Sequence, residues 1–221
     1  MTLNPIYENE QFRTFYNMLI ETNKQFNLTS ITDEREVYLK HFLDCVFVEK
    51  EFEQNARVLD VGTGAGFPAV PLAICRPDLK ITAIDALNKR INFVNSVKNE
   101  LKLKNLTALH ARSEEIAQKN RETFDIATSR AVAGLNSLLE LLAPLVKVGG
   151  KIICYKGPQA SEEIERSKNA EKELGLKLEK VKEYSFGNEK ISRFLLIYKK
   201  IAPTPKRFPR PANKAIKQPI V

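Results

Sequence analysis

From residue 57 onward, short apolar runs alternate with helical stretches, and this alternation constrains the fold more than any other feature. The runs, rich in β-branched and apolar residues, predict strands at 57–61, 80–85, 106–110, 124–128 and 151–155. The stretches between and after them predict helices at 69–75, 89–101, 114–119, 135–146 and 161–174. Strand–helix units joined by short loops predict a mostly parallel sheet with helices on both faces.

The end of this pattern predicts an antiparallel edge. Gly175 suits the end of the last helix, and two further strands are predicted at 178–186 and 192–199. Gly187 and Asn188 between them are typical of a hairpin turn. The sequence therefore predicts an α/β protein with a Rossmann-like, mostly parallel seven-stranded sheet that carries an antiparallel hairpin at one edge.

The first 55 residues predict helices without strands. Apolar residues at helical spacing predict one helix over 8–27, and they are Phe12, Phe15, Leu19 and Phe26. Asp33 and Glu36 predict a capping box at the start of a second helix. We therefore divide the chain into an N-terminal helical extension (1–55), a core (56–200) and a basic, proline-rich tail (201–221).

The net charge of +8 is concentrated at the C-terminus. Seven basic residues, five prolines and no acidic residue follow residue 198, whereas residues 1–198 carry a net charge of only +1. So many prolines predict that the tail forms neither a regular helix nor a central strand. The tail is then either a solvated terminus or an arm that lies along a phosphate backbone and releases counterions.

The cysteine pattern narrows the class of protein. Cys45, Cys75 and Cys154 are the three cysteines, and no two of them have C-x-x-C spacing. We therefore expect neither a disulfide framework nor a metal site, and a reduced, cytoplasmic setting. Residues 1–12 lack a basic patch followed by an apolar run, so no signal peptide is expected. No apolar run approaches the roughly 20 residues of a membrane helix, so no membrane partner is expected.

A candidate ligand-binding loop follows the first predicted strand. Three alternating glycines, Gly62, Gly64 and Gly66, come directly after this strand, and a helix is expected to open at Pro68. Glycines allow a sharp turn and let a ligand approach the main chain closely. Ligands of open α/β sheets bind at the carboxyl ends of the strands, so this loop is the first candidate site for a nucleotide-like ligand.

The spacing of the glycines distinguishes two classes of cofactor. Dinucleotide-binding loops usually have the spacing G-x-G-x-x-G and hold a diphosphate on helix amides. Here the spacing is G-x-G-x-G, and Asp60 precedes it. S-adenosyl-L-methionine carries no phosphate, but it has an amino group that a carboxylate such as Asp60 can hold. The loop therefore favours S-adenosylmethionine over a nicotinamide dinucleotide, although a plain tight turn is an alternative interpretation of the glycines alone.

Two later segments supply further cofactor candidates. Asp85 ends the second predicted strand, where a carboxylate can accept hydrogen bonds from both ribose hydroxyls. Asp85 also suits a cap of the helix at 89–101, and both roles can coexist. Ser113 and Glu114 follow the third strand, where an adenine ring is expected. The order of strand, glycine turn, helix, strand and acid favours an adenosine-type cofactor.

Several local motifs resemble those of one enzyme family. They are Asn27-Leu28-Thr29-Ser30-Ile31, His41-Phe42-Leu43-Asp44, the glycine segment 60–72, Arg112-Ser113-Glu114-Glu115, Ser129-Arg130-Ala131-Val132-Ala133, Tyr155-Lys156-Gly157-Pro158 and Phe208-Pro209-Arg210. With these motifs in this order, the chain resembles the 16S ribosomal RNA guanine-nitrogen-7 methyltransferase family, also called the glucose-inhibited division protein B family. The chain departs from the usual residues of that family at Cys45, at Ala69 and at 211–213.

The resemblance has implications for fold, cofactor and target. It implies the class I methyltransferase version of the Rossmann-like fold and S-adenosyl-L-methionine as the cofactor. It implies methylation of one guanine in small-subunit ribosomal RNA. It also implies cofactor contacts at Gly62, Phe67, Ser113, Glu114 and Arg130.

The residues are compatible with methylation of guanine nitrogen-7. That nitrogen has an in-plane lone pair and no proton, so its attack needs no general base and catalysis rests on alignment. Methylation of an amino group favours a motif with a Pro-Pro pair, and carbon-5 methylation favours a Pro-Cys nucleophile; the sequence has neither. No catalytic residue is therefore assigned, although Arg130 and Lys156 are candidates.

Basic and aromatic residues supply candidates for RNA contact. Those for phosphate or the guanine edge are Lys156, Arg193, Lys206, Arg207 and Arg210. Those for stacking on a splayed base are Phe67, Tyr155 and Phe208, although for Phe67 we favour packing beside the cofactor. We expect the partner to be 16S ribosomal RNA or a small-subunit assembly intermediate, and the protein to be a monomer.

Three other functions stay open from the residues alone. A small-molecule methyltransferase shares the cofactor loop but has no use for the basic tail. An NAD(P)-binding oxidoreductase predicts a diphosphate-compatible loop and a Tyr-x-x-x-Lys pair or a comparable proton donor, which the sequence lacks. A non-catalytic RNA-binding module keeps the tail and loses cofactor binding.

Overall fold

The predicted alternation of strands and helices is present in the computed structural model, which describes residues 4–130, 132–186 and 191–220. The strands of these residues are β1 (Arg57–Val61), β2 (Lys80–Asp85), β3 (Leu106–His110), β4 (Phe124–Arg130), β5 (Val146–Lys156), β6 (Leu176–Phe186) and β7 (Ile191–Lys200). Their order in the sheet is β3-β2-β1-β4-β5-β7-β6. The chain divides into two units, residues 1–56 with 62–110 and residues 57–61 with 111–221.

The helices of the described residues are mostly short. They are α1 (Asn4–Tyr7), α2 (Glu10–Asn23), α3 (Glu34–Val37), α4 (Asp44–Val46), α5 (Ala69–Cys75), α6 (Asn88–Glu100), α7 (Ser113–Lys119), α8 (Leu135–Leu142), α9 (Ala160–Arg166), α10 (Lys168–Glu173) and α11 (Ala212–Lys217). A π-helical turn, Tyr38–Leu43, joins α3 to α4, and 3-10 turns lie at Glu49–Glu51 and Ala143–Leu145. In the described part of the chain, no helix has the length and apolar character needed to span a membrane.

Strand pairing confirms the predicted sheet. β1 pairs with β4, β4 with β5, and β2 with β3, all in parallel. β7 is antiparallel to both β5 and β6 and supplies the predicted antiparallel edge. The predicted turn residues Gly187 and Asn188 lie outside the described residues. Gly175 has a φ of +71°, which suits the helix end predicted there.

Two predicted helices, 135–146 and 161–174, are interrupted in the structure. α8 ends shortly before Pro144, because proline has no N–H for the next helical hydrogen bond. α9 and α10 are separated at Ser167, whose hydroxyl donates to the main-chain carbonyl of Glu163 at 2.6 Å. Such bonds from a hydroxyl to the preceding turn bend helices. Both segments are therefore helical as predicted, but neither forms one continuous helix of the predicted length.

The first predicted helix ends early, and this exposes Phe26. The side chain of Asn9 accepts N–H groups of the first turn of α2, so the helix begins after it. At the other end, the Asn23 side chain accepts the N–H groups of Leu28 and Thr29, at 2.7 and 2.9 Å, and the chain turns. Phe26 lies beyond the helix and is 42% exposed. The prediction that this helix extends to 27 and includes Phe26 is wrong.

The first unit is built around an aromatic cluster, defined as Phe12, Phe15, Phe42, Phe67 and Phe93. The ring centroid of Phe15 lies 5.2 Å from that of Phe42, 5.3 Å from Phe67 and 6.3 Å from Phe93. Ring separations of this size are favourable beyond the burial of apolar area. Because Phe67 belongs to the glycine loop (residues 62–67), the helices of the N-terminal extension share a core with that loop.

Buried charges attach the tail to the second unit. Lys200, only 1% exposed, donates to the main-chain carbonyl of Ala143 at 2.7 Å and to the carboxylate of Glu122 at 3.1 Å. Burial lowers the pKa of Lys200. Glu140, which is 0% exposed, accepts hydrogen bonds from Arg210. Ion pairs of Lys200, directly before the tail, and of Arg210 within it therefore connect this end of the chain to the rest of its unit.

The tail packs against the second unit and contains a short helix. Phe208 is 4% exposed and Ala215 is 0% exposed. The prediction that the tail excludes a regular helix is wrong for α11, because Pro211 and Pro219 flank its six residues and do not interrupt them. The proposed division of the chain after residues 55 and 200 stays a prediction.

Candidate functional site

The glycine loop of the first unit needs glycine for two different reasons. Gly62, Gly64 and Gly66 have φ angles of +73°, +59° and +93°, which other residues rarely adopt. A Cβ atom at Gly66 would lie 2.6 Å from Cγ2 of Val70, so this position has no room for a side chain. A Cβ atom at Gly64 would meet nothing within 4 Å. The main chain at Gly64 therefore borders open space, where a ligand can approach it.

The amides of the glycine loop are engaged by acceptors of the protein itself. The N–H groups of Gly62 and Thr63 donate to the carbonyl of Ile84 at 2.8 and 3.0 Å. Those of Gly66 and Phe67 donate to the carbonyl of Thr63 at 2.9 and 2.8 Å. A dinucleotide loop instead directs such amides at the diphosphate. The loop is therefore built for a ligand without phosphates in this position.

Asp85 binds the glycine loop to the end of β2. Its carboxylate, 4% exposed, accepts the N–H of Gly64 at 3.0 Å and that of Leu87 at 2.9 Å, and Arg90 lies 3.3 Å away. A carboxylate has about four lone-pair positions, so some capacity is left for a ribose hydroxyl. The capping role expected for Asp85 is present in part, because Leu87 directly precedes α6. Its ribose role stays a prediction.

Two exposed leucines near Asp85 were missed from the sequence. Leu87 is 46% exposed and Leu109, beside the end of β3, is 43% exposed. Leu109 pairs with Ile84 in the register of β2 and β3, and His110 bonds to the carbonyl of Ala86 at 3.0 Å. Leu87, whose N–H the Asp85 carboxylate accepts, is an exposed apolar side chain near that carboxylate and suits one face of an aromatic base. For Leu87, the available signal was a large apolar residue two positions after the acid that ends a strand.

The ring of Phe67 belongs to the interior of the first unit. Phe67 is 5% exposed, and its centroid lies 4.7 Å from that of His41 and 6.0 Å from that of Phe42. His41 lies on the π-helical turn, and its Nε2 is 2.8 Å from the hydroxyl oxygen of Thr29. Turns of this kind are frequent at functional sites. The N-terminal extension therefore supports the glycine loop from its apolar side.

In the second unit, the predicted cofactor residues lie in β1, at the end of β4 and at the start of α7. Asp60 in β1 is 0% exposed and pairs in register with Thr128 of β4. Arg130 ends β4 and is half-buried. Ser113, 4% exposed, begins α7, and its hydroxyl donates to Oε2 of Glu114 at 3.2 Å. The cofactor contacts of these four residues stay predictions.

The side chain of Lys156 is bound to other groups of the protein. Its Nζ donates to Oε2 of Glu163 at 2.7 Å and to the carbonyl of Ala133 at 2.9 Å, and its side chain is 9% exposed. The same carboxylate oxygen accepts the N–H of Leu135 at 2.7 Å. Lys156 therefore braces the segment after β4. Its charge is already compensated, which argues against the phosphate contact and the catalytic role considered for it.

The basic residues predicted to contact RNA differ in burial. Arg210 is paired with buried Glu140, so the structure argues against the phosphate contact predicted for it. Arg207 pairs with Glu173 at 2.9 Å, but its side chain is 66% exposed. Lys206 is exposed and Arg193 is half-buried. RNA contacts of Lys206, Arg207 and Arg193 stay predictions.

The aromatic candidates for RNA stacking are buried. Phe67 is 5% exposed, and Tyr155 and Phe208 are 4% exposed each. A base cannot stack on rings that the protein already covers, so this prediction is wrong. Among the side chains that the structure describes, Phe26 instead is an exposed aromatic ring, and Nζ of Lys89 lies 5.8 Å from its centroid.

The cysteines are thiols in apolar surroundings. Cys45 and Cys154 are buried, Cys75 is partly buried, and none of the three forms a disulfide. Burial raises the pKa of both Cys75 and Cys154 to about 12. Thiols with such pKa values are protonated near neutral pH, so they are poor nucleophiles. Among residues 4–130, 132–186 and 191–220, no three His, Cys, Asp or Glu side chains are grouped as metal ligands.

Comparison with known proteins identifies the fold and the family. A solved S-adenosylmethionine-dependent methyltransferase from Aquifex aeolicus matches with a TM-score of 0.57 and 22% identity, covering 81% of this chain and 97% of that one. This likeness confirms the predicted fold class. The curated ribosomal RNA small subunit methyltransferases G of Clostridium perfringens SM101 and Bacillus licheniformis are 47% and 44% identical, over 96% and 97% of this chain and 90% and 91% of their own lengths.

The family model described as GidB, rRNA small subunit methyltransferase G, matches residues 8–192. That range contains both units' candidate cofactor residues and ends in β7. Because the match covers most of the chain and the relatives cover nearly all of it, the chain belongs to the GidB family of rRNA small subunit methyltransferase G.

Proposed function

We propose that this protein transfers a methyl group from S-adenosylmethionine to nitrogen-7 of a guanine in 16S ribosomal RNA. The observation that carries the proposal is that the N–H groups of the glycine loop already donate hydrogen bonds within the protein. Gly62, Thr63, Gly66 and Phe67 donate to carbonyls, and Gly64 donates to Asp85, so these donors are not available to a diphosphate. This supports an adenosine-type ligand without phosphates and disfavours a nicotinamide dinucleotide.

The residues around the loop fit the parts of S-adenosylmethionine. The main chain at Gly62 and Gly64 borders the ligand, and the carboxylate of Asp85 accepts the ribose hydroxyls. Leu87 covers one face of the adenine ring, which suits its 46% exposure. When bound, the cofactor supplies a methyl group on a positively charged sulfur.

The predicted cofactor residues of the second unit have side chains that suit the polar groups of S-adenosylmethionine. Asp60 compensates the charge of the amino group, and Ser113 and Glu114 hold the adenine edge. Arg130 at the end of β4 holds the carboxylate of the ligand, because a guanidinium binds a carboxylate in a two-pronged way. These assignments rest on the position of each residue at or just after a strand end.

The reaction requires the protein mainly to align the guanine with the methyl group. Guanine nitrogen-7 has a lone pair and no proton, so no residue has to act as a general base. Holding two reactants in line contributes on the order of 7–11 kcal/mol to lowering a barrier. The raised pKa values of Cys75 and Cys154 disfavour carbon-5 methylation, which needs a thiolate nucleophile.

RNA recognition requires a single-stranded guanine and exposed contacts. Phe26, with Lys89 near its ring, offers a stacking surface for a splayed base. Lys206, Lys214 and Lys217 are exposed on the tail and suit phosphates.

The protein acts as a monomer in the cytoplasm, where its free thiols stay reduced and its RNA substrate is made.

Mass spectrometry of ribosomal RNA tests the proposal directly. RNA from cells that lack the protein should lack one 7-methylguanosine, and expression of the wild-type protein should restore it. Expression of Gly64→Asp should not restore it, because a carboxylate placed beside Asp85 fills the open space at that glycine and repels the existing charge. Unchanged 7-methylguanosine in the deletion strain would refute the assigned target.

A further inference from the structure

The carboxylate of Glu114 is held from two directions. Oε2 accepts the hydroxyl of Ser113, its neighbour in α7, at 3.2 Å. Oε1 accepts the main-chain N–H of Ala212 at 3.2 Å, and these residues are 98 positions apart in the sequence. The tail thus reaches the carboxylate that the proposed function assigns to the adenine edge. Hydrogen bonds to a charged acceptor are among the stronger ones in proteins.

We propose that the tail is a positioning element for cofactor binding, in which the N–H of Ala212 fixes the carboxylate of Glu114. The proposal rests on the assignment of Glu114 to the cofactor under the proposed function. A side chain held at both oxygens has fewer orientations to lose when the ligand binds, so the bound geometry costs less entropy. Ala212 is thus a positioning residue that acts through Glu114.

Contacts on both sides of Ala212 hold its N–H in place. Before it, the guanidinium of Arg210 donates to buried Glu140 through Nε at 2.8 Å and through Nη2. After it, the carbonyl of Ala215 accepts the hydroxyl of Ser137 at 2.9 Å, and Ala215 itself is 0% exposed. The donor therefore lies between two fixed points that are five residues apart in the chain.

A third contact holds the first half of the tail. The guanidinium of Arg121 donates to three main-chain carbonyls, those of Thr204, Pro205 and Phe208, at 2.7, 3.0 and 2.7 Å. Phe208 is 4% exposed. None of these contacts touches the exposed lysines, so the positioning role and RNA binding depend on different side chains of the tail.

Ala212→Pro removes this one donor with little change elsewhere. Ala212 is the first residue of α11, a position where proline is well tolerated, and Pro211 before it has a ψ of 136°, which suits a following proline. We expect the affinity for S-adenosylhomocysteine, measured by titration calorimetry, to fall about tenfold. This is the lower end of the range expected when a hydrogen bond to a charged acceptor is lost. The control Ala212→Ser keeps the N–H and should stay within about twofold of wild type.

Glu114→Ala separates this proposal from the proposed function. If Glu114→Ala binds S-adenosylhomocysteine like wild type, the cofactor assignment of Glu114 fails. If Glu114→Ala binds weakly while Ala212→Pro binds like wild type, the positioning role is overturned. In the Glu114→Ala background, Ala212→Pro should have no further effect. A second loss of the same size in that background would mean that the tail acts elsewhere, and would also overturn the proposal.

A second variant covers the case in which Ala212→Pro fails to fold. Arg210→Lys keeps the positive charge beside Glu140 but loses the two-pronged pairing, so it loosens the tail next to Ala212. We expect a roughly threefold loss of affinity that again disappears in the Glu114→Ala background. Wild-type affinity in Arg210→Lys, together with a lowered melting temperature, would show that the tail loosens without effect on the ligand and would contradict the proposal.

Discussion

Two arginine–carboxylate pairs, one in each unit, have the same chemistry in different surroundings. In the first unit, Arg76 donates to Asp78 through Nε at 2.8 Å and through Nη2 at 2.7 Å. In the second unit, Arg210 donates to Glu140 in the same two-pronged way. Each carboxylate also accepts a main-chain N–H, from Asn55 at 3.2 Å and from Arg210 itself at 2.9 Å.

The two pairs differ in burial and in sequence separation. The Glu140 side chain is 0% exposed and lies 70 residues from Arg210, whereas that of Asp78 is 29% exposed and lies two residues from Arg76. A buried charge that loses its partner is very unfavourable, while solvent screens an exposed one. The same side-chain geometry should therefore contribute very different amounts to stability in the two units.

Arg210→Ala should have the largest effect. It leaves the Glu140 carboxylate buried without its guanidinium, so we expect the free energy of unfolding to fall by about 3–5 kcal/mol in urea denaturation at neutral pH. Arg207→Ala is the matched control, because its pair with Glu173 is exposed, and it should cost less than about 1 kcal/mol. Equal losses in the two variants would contradict the argument from burial.

Arg76→Ala should have an intermediate effect. Arg76 also donates through Nη1 to the carbonyls of Glu49 and Phe52 at 2.7 and 3.0 Å, so its removal leaves main-chain acceptors without a donor. We expect a loss of about 1–2 kcal/mol in the same experiment. Arg76→Lys should recover little of it, because an ammonium cannot reproduce the planar fork. A loss as large as that of Arg210→Ala would show that the difference in burial does not determine how much each pair contributes to stability.

This contrast also explains which parts of the site could be predicted from the sequence. The glycine loop and Asp85 lie within 25 residues of each other, and the three positive φ angles require glycine, so both were visible as a local pattern. The bounds of β1, β2, β3 and α5 follow from equally local signals. Leu87 and Leu109 were missed because exposure of an apolar side chain depends on what the rest of the fold leaves uncovered.

The tail could not be predicted in the same way. Its charge and prolines indicated an unattached arm, but the acids that pair with Arg207 and Arg210 come from α10 and α8, 34 and 70 residues earlier. The burial of Phe208 and the ion pair of Lys156 with Glu163 could not be predicted for the same reason, because the fold sets their neighbours. Composition gives the number of charges, whereas tertiary structure decides which of them are compensated.

Asp78→Asn should have the smallest effect at neutral pH and a distinctive dependence on pH. The hydrogen bond from Arg76 lowers the pKa of Asp78 from 3.8 to about 2. A carboxyl group whose pKa is lower in the folded state contributes stability above its unfolded pKa, and this contribution is lost as the pH falls from about 4 towards 2. The free energy of unfolding of wild type should therefore exceed that of Asp78→Asn by about 0.5–1 kcal/mol at pH 7. This difference should shrink to near zero at about pH 2. In an Arg76→Ala background the difference should be small at every pH, and a constant difference in the wild-type background would show that the Arg76 pair does not control this titration.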